Sequence, residues 1–164
     1  MPKDFLFDHH VVVGLYPKAD AFDTAMTTDY ISLANYKRAT FIIPTGDATS
    51  GTANGTVTVL ASAVAAGSNT TAVPFSYRVC ASSTTVDTWG ALTDATASGF
   101  SMTAGDNYCY AVEVMVEEVE AAAAGKGFVA LKVTEVTNDP VPAGVIVILS
   151  DPRYPQSVPV TAIA

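Results

Sequence analysis

From Tyr108 to Glu117 the chain alternates without a break. Tyr108, Tyr110, Val112, Val114 and Val116 fall on one side of an extended backbone, and Cys109, Ala111, Glu113, Met115 and Glu117 on the other. Successive side chains of a strand point to opposite faces, so this segment predicts a β-strand with one apolar and one mixed face. Thr56–Val64 repeats the pattern, with Val57, Val59, Ala61 and Ala63 on one face; so does Ala72–Ala81, where Phe75, Tyr77 and Val79 share a face. Tyr30–Leu33 leads into Tyr36–Ile43, which stops at Pro44 and Gly46, and Gly99–Thr103, Phe128–Val136 and Val145–Leu149 complete the set. Gly, Asn and Asp turns separate them, among them Gly67-Ser68-Asn69, Ala104–Asn107 and the stiff Asn138–Pro142. Seven to nine short strands at this spacing predict an all-β fold, either an antiparallel β-sandwich or a jelly-roll-like β-barrel. No fixed-period repeat is present.

The two ends differ from this body. Residues 1–28 read as an N-terminal arm: Val11-Val12-Val13 supplies one short strand, and Lys18–Thr28 has weak helical spacing through Ala21, Phe22, Ala25 and Met26. Residues 29–150 form the β domain. Residues 151–164 carry Pro152, Pro155 and Pro159 and read as an extended tail that cannot enter a central strand. Glu117–Ala124 has high helix propensity and predicts one or two helical turns, ended by Gly125 and Gly127.

At 164 residues the chain has the size of a single domain that needs neither metal nor disulfide to fold. Sixteen acidic against eight basic residues give a net charge of -8, which argues against nucleic acid as a direct partner. No apolar stretch approaches the roughly 20 residues that span a bilayer as a helix. Met1–His10 has no signal-peptide core, so the chain reads as one held in a cytoplasm until assembly.

Chemistry has few places to sit. Asp8 precedes His9-His10, but neighbouring residues of a strand face opposite ways and do not converge on one ion. Glu113 and Glu117, four apart on one strand face, would stand about 13 Å apart, too far for a paired acid and base. Asp47–Gly55 lacks the alternating ligands of a calcium loop. There is no Gly-x-Ser-x-Gly elbow and no histidine beyond His10 to serve as a base. The expectation is a protein without catalytic residues, metal or cofactor. Cys80 and Cys109 lie on strand faces opposite the aromatic and Val residues and could meet across a sheet; unbridged thiols are the default reading.

What remains is surface. Trp89, the single tryptophan, either caps the end of a sandwich core or anchors an interface. Arg153 and Tyr154 are interface-prone types in a proline-stiffened tail, which either docks on a partner or folds back on its own domain. With Phe5, Phe7 and Tyr16 from the arm, they make the candidate interface set.

Tyr30-Ile31-Ser32-Leu33-Ala34-Asn35-Tyr36-Lys37-Arg38-Ala39-Thr40-Phe41-Ile42-Ile43 resembles a group of small tailed-bacteriophage proteins that accompany the major capsid protein. The likeness spans about residues 29–156. It continues through a Gly-rich loop, Phe75-Ser76-Tyr77-Arg78, a Trp-containing loop, Tyr110-Ala111-Val112-Glu113-Val114 and the late Arg153-Tyr154; the Ala run in Glu117–Ala124 departs from it. The resemblance implies a capsid decoration (cement) protein that binds the outside of an icosahedral shell and braces neighbouring major capsid subunits; it leaves trimer, dimer and monomer open there, and self-association as a trimer or dimer is a separate expectation. Its location would be the virion surface, after a period in the host cytoplasm. The alternatives are a receptor- or carbohydrate-binding fibre or tip module, and a neck or tail ring component.

Overall fold

The computed structural model describes residues 5–80, 88–154 and 158–163. Its body is two antiparallel sheets packed face to face. The first is formed by β1 (His10–Lys18), β12 (Ala143–Pro152), β4 (Tyr36–Pro44), β10 (Cys109–Met115), β7 (Phe75–Cys80) and β8 (Thr93–Ala95), in that spatial order. The second runs β2 (Ala25–Thr27), β11 (Phe128–Thr137), β5 (Asn54–Ser62), β6 (Thr71–Val73), with β3 (Ile31–Ser32) also on β11 and β9 (Phe100–Ser101) also on β5. The sheets do not close on one another, so of the two expected architectures the sandwich is realised and the barrel is not.

The core is what the alternating patterns dictate. In the first sheet Val12, Val147, Phe41, Val112 and Tyr77 form one cross-strand row on the inner face. In the second, Val57 opposite Val133, Val59 opposite Leu131 and Ala61 opposite Val129 face them, all fully buried. Each such aliphatic side chain withdrawn from water contributes about 1.5–3 kcal/mol before entropy is charged against it. Phe100 lies flat on Tyr77, ring centroids 3.8 Å apart, and meets Phe75 edge-on at 6.1 Å. The Tyr110 hydroxyl reaches the inner end of the core, accepting from Thr103 N–H (3.2 Å) and donating to Thr103 O (3.3 Å).

Residues 10–27, expected as part of an arm, belong to the sandwich. β1 pairs with β12 from His10↔Leu149 to Lys18↔Ala143, and β2 pairs with β11 through Met26↔Val133. Ala21, Phe22 and Met26 are buried, and the segment 18–28 is bends and a three-residue strand rather than a helix. The apolar spacing was real; its cause is a chain crossing from one sheet to the other and placing Ala21, Phe22 and Met26 in the core on the way. Among the described residues α1 (Phe5–Asp8) precedes the first strand.

At the other end β12 extends to Pro152, whose partner is Tyr36, so the body outruns the expected boundary at residue 150. Pro152 lies beyond Leu149, where the β1 ladder ends, so β12 is an edge at that point and can hold a proline. The tail returns to the body: Ser32 N–H donates to Ala162 O (2.8 Å) and Ile163 bridges Ile31. α2 (Val116–Ala122) forms where helical turns were expected, buries Val119, and carries Glu118, whose carboxylate accepts from Met115 N–H at 2.7 Å. Val116 and Glu117 thus leave the strand that alternation had extended to Glu117.

Two loops at one end are joined by backbone bonds, Thr49 N–H to Pro140 O (3.0 Å) and Gly46 N–H to Pro142 O (2.8 Å), and by one carboxylate. Asp139, buried, accepts from Ser50 N–H, Thr52 N–H and the Thr52 hydroxyl. The loop expected to be polar and metal-free is tied to the β11–β12 connection this way, and these bonds, Thr52 N–H first, hold the Asp139 carboxyl below its usual range.

Candidate functional site: an uncovered apolar sheet face

The strands near the β1 edge are apolar on both faces. β1 contains Val11-Val12-Val13, β4 contains Phe41-Ile42-Ile43, and β12 contains Val145-Ile146-Val147-Ile148-Leu149. Runs of this kind are typical of strands covered on both sides. Here the core covers only one side.

Register shows what the other side presents. Val13 lies opposite Ile146, Ile146 opposite Ile42, and Ile42 opposite Ala111, giving one apolar row across four strands. The next row begins with Val11 opposite Ile148 and continues into Thr40. Val11, Val13 and Ile146 are 42%, 38% and 43% exposed, while Ile42, Ile148 and Ala111 are half-buried by their neighbours. These six β-branched or small side chains carry no charge. The outer face of the second sheet is more polar: its rows pair Thr56 with Thr134 and Thr58 with Lys132 before the apolar pair Leu60 and Ala130.

The apolar surface continues past the end of the strands. Tyr16 (74% exposed), Pro17, Pro44, Pro142 and Gly144 line a groove of about 400 Å³ that opens beside Val13 and Ile146. Register shifts in β1 flank it: Leu15 still pairs with Val145, while Tyr16 falls in the unpaired stretch before Lys18 rejoins Ala143. The outer edge of β1, where Gly14 O accepts from Asp29 N–H (3.3 Å), borders a second cleft, shared by His10–Val13 with Asp29 and Thr161–Ile163.

Charge rims this face. Arg38 stands 3.5 Å from both Glu113 and Asp151, and the Thr40 hydroxyl donates to Glu113 at 3.5 Å. Farther across, Ser76 donates to Asp94 (2.9 Å) and Arg78 to Gly90 O (2.8 Å). These pairs are about one-third exposed or more and add little to stability. An apolar centre within a polar rim is the anatomy of an interaction surface.

Of the six residues singled out from sequence, Tyr16 joins this surface. Phe5 and Phe7 lie half-exposed on α1, where the Phe5 ring stacks on His9 at 4.4 Å. Trp89 sits at the opposite side of the same sheet, bridging Cys80 on β7, and is 40% exposed. Arg153 donates its N–H to Asn35 O (2.9 Å), and its side chain borders a small cavity with Val119 and Lys126; Tyr154 is exposed beside it. The six therefore do not form one site. Val11, Val13, Ile42, Ala111, Ile146 and Ile148 escaped the sequence reading, although unbroken apolar runs signalled them.

His9 lies just before β1 and His10 opens it, so strand parity does not relate the two. His9 Nδ1 is 3.0 Å from Phe5 O, while His10 packs near Tyr36 and burial lowers its pKa. Among the described residues no group of three or more His, Cys, Asp or Glu side chains could hold a metal ion. No helix among them is long and apolar enough to cross a membrane.

No family model and no curated protein matches the sequence. Among solved structures, the chain is similar to the crystal structure of SPBc2 prophage-derived protein YomS, with 16% identity over 86% of this chain and 93% of that one, at a TM-score of 0.44.

Proposed function

We propose that this chain is a non-enzymatic structural protein of a phage virion, a decoration protein that binds the outer surface of an icosahedral capsid and cements neighbouring major capsid subunits. The observation that carries the reading is the uncharged row Val13–Ile146–Ile42–Ala111 with Val11 and Ile148 beside it, an apolar face that the described residues leave partly uncovered. The sequence resemblance to proteins that accompany the major capsid protein supplies the partner. Docking through a sheet face needs no loop to be ordered, so little entropy opposes it. Repetition over a symmetric shell then makes weak individual contacts cooperative through avidity.

On this reading the acidic remainder of the chain faces solvent and keeps unbound copies apart. Self-association on the shell would use the residues around the face, Tyr16 among them. The test is co-sedimentation of purified chain with shells assembled from the major capsid protein alone. Saturable binding at a fixed ratio supports cementing; no binding to intact shells overturns it and brings forward the fibre, tip or ring alternatives.

A further inference from the structure

Cys80 and Cys109 are directly opposite each other on β7 and β10. The hydrogen bonds around them settle how they face. Tyr108 O accepts from Thr45 N–H on the β4 side, and Val79 O accepts from Gly90 N–H on the far side of β7. In an antiparallel ladder the next residue of each strand turns its polar groups the other way, so Cys80 and Cys109 form a hydrogen-bonded pair with Cα atoms about 5.5 Å apart. That Cα separation lies inside the range a disulfide bridges, while the Cβ atoms of a hydrogen-bonded pair stand about 5 Å apart or more against roughly 3.5–4.5 Å in a disulfide, so closing the bond must draw the two strands together and leaves it readily reduced. Opposite residues share a face, here the outer one, away from Tyr110 and Val112. Both are held as thiols, Cys80 buried and Cys109 half-buried. Trp89 bridges Cys80 from the other side, so Pro44, Cys109, Cys80 and Trp89 make one row across the sheet.

We propose that Cys80 and Cys109 are a modification site, a cross-strand dithiol that is converted to a disulfide by exchange with a low-molecular-weight disulfide. The Cys109 thiolate, the more accessible of the two, attacks one sulfur of the reagent, forming a mixed disulfide and releasing one thiolate. The Cys80 thiolate then attacks the Cys109 sulfur, closing the Cys80–Cys109 bond and releasing the second. The two protein protons end on the two leaving thiols, so the protein loses two hydrogens and the reagent is reduced. Burial and the neighbouring Cys80 push the Cys109 thiol up, which keeps the pair inert at neutral pH without a disulfide partner and speeds exchange as pH rises. In a reducing cytoplasm the pair stays open; in an oxidising exterior it locks β7 to β10 next to Trp89.

The test equilibrates the full chain with mixtures of reduced and oxidised glutathione and follows intact mass, thiol titration and fluorescence of Trp89, the single tryptophan. A disulfide beside an indole quenches its emission. The expected result is loss of both thiols together, a mass lower by two hydrogens with no retained glutathione, and a matching fall in emission. Cys80→Ser should instead retain one glutathione on Cys109. Should that variant not fold, Cys109→Ser serves, and its buried Cys80 should stay unmodified. Persistent glutathionylation of the natural chain, disulfide-linked dimers, or two intact thiols throughout would each overturn the proposal.

Discussion

Placing a lysine at position 146 should separate folding from docking. Ile146 points outward at the centre of the apolar row, while its neighbours Val145 and Val147 are buried in the core. Complete burial of an aliphatic side chain is worth about 1.5–3 kcal/mol. The uncovered fractions of Val11, Val13 and Ile146 therefore offer about 2–4 kcal/mol together on docking, of which Ile146 holds roughly a third. Ile146→Lys removes that share and forces an ammonium group out of water, at a cost of several kcal/mol. Binding to assembled shells should weaken by about 100-fold or more, since each 1.4 kcal/mol is roughly tenfold. The fold should hardly respond, because the site is solvent-facing in the isolated chain: a change within about 1 kcal/mol, or about 2–4 °C in Tm. Leu149→Ala, on the buried face of the same strand, should do the reverse, costing about 2–5 kcal/mol of stability and leaving the outer row in place. Ile146→Glu should match Ile146→Lys, since desolvation rather than charge sign is the cause. Co-sedimentation with shells and thermal melts read both quantities. Undiminished binding of both charged variants would refute the role given to this face.

Other perturbations test the fold on which the face depends. Tyr110→Phe leaves Thr103 N–H and C=O without their hydroxyl partner and should cost about 1–3 kcal/mol in denaturant melts. Burial pushes the Tyr110 phenol up to about 12, above its unfolded value near 10. Its stabilisation is therefore complete below pH ~10 and lost as pH rises towards 12; Tyr110→Phe should flatten that alkaline decline, and an unchanged slope would contradict it. Asp139 works in the opposite sense. Its carboxyl titrates below its unfolded value, so its contribution is present above pH ~4 and lost on further acidification, and Asp139→Asn should remove that acid sensitivity while lowering Tm at neutral pH. Gly99 has φ +79°, and a Cβ there would stand 1.9 Å from Val57 O, so Gly99→Ala should cost at least about 2–3 kcal/mol by strain and displacement of β9. A neutral melt would show that expectation mistaken.

The sandwich was legible in the sequence wherever one face was buried and the other wet. β5 and β10 place Val57, Val59, Val112 and Val114 inside as their alternation required. The reading faltered where period 2 was absent. Val11-Val12-Val13 gives no alternation, and β2 is too short to show any, so residues that enter both sheets looked like an arm. The same lack of alternation concealed the candidate site, because a strand apolar on both sides does not reveal which side the core will take. Choosing interface residues by type selected Trp89 and Tyr154, which topology then set far from Tyr16. The facing of Cys80 and Cys109 was readable from parity along each strand. Their register was not, since it depends on loops whose length does not fix which residues pair.

The most direct test of the proposed role is a copy count in purified virions, by quantitative densitometry against the major capsid protein. A decoration protein spread over the shell predicts a ratio near one to one or a simple fraction of it. A handful of copies per particle, or none, would contradict cementing and assign the apolar face to another contact.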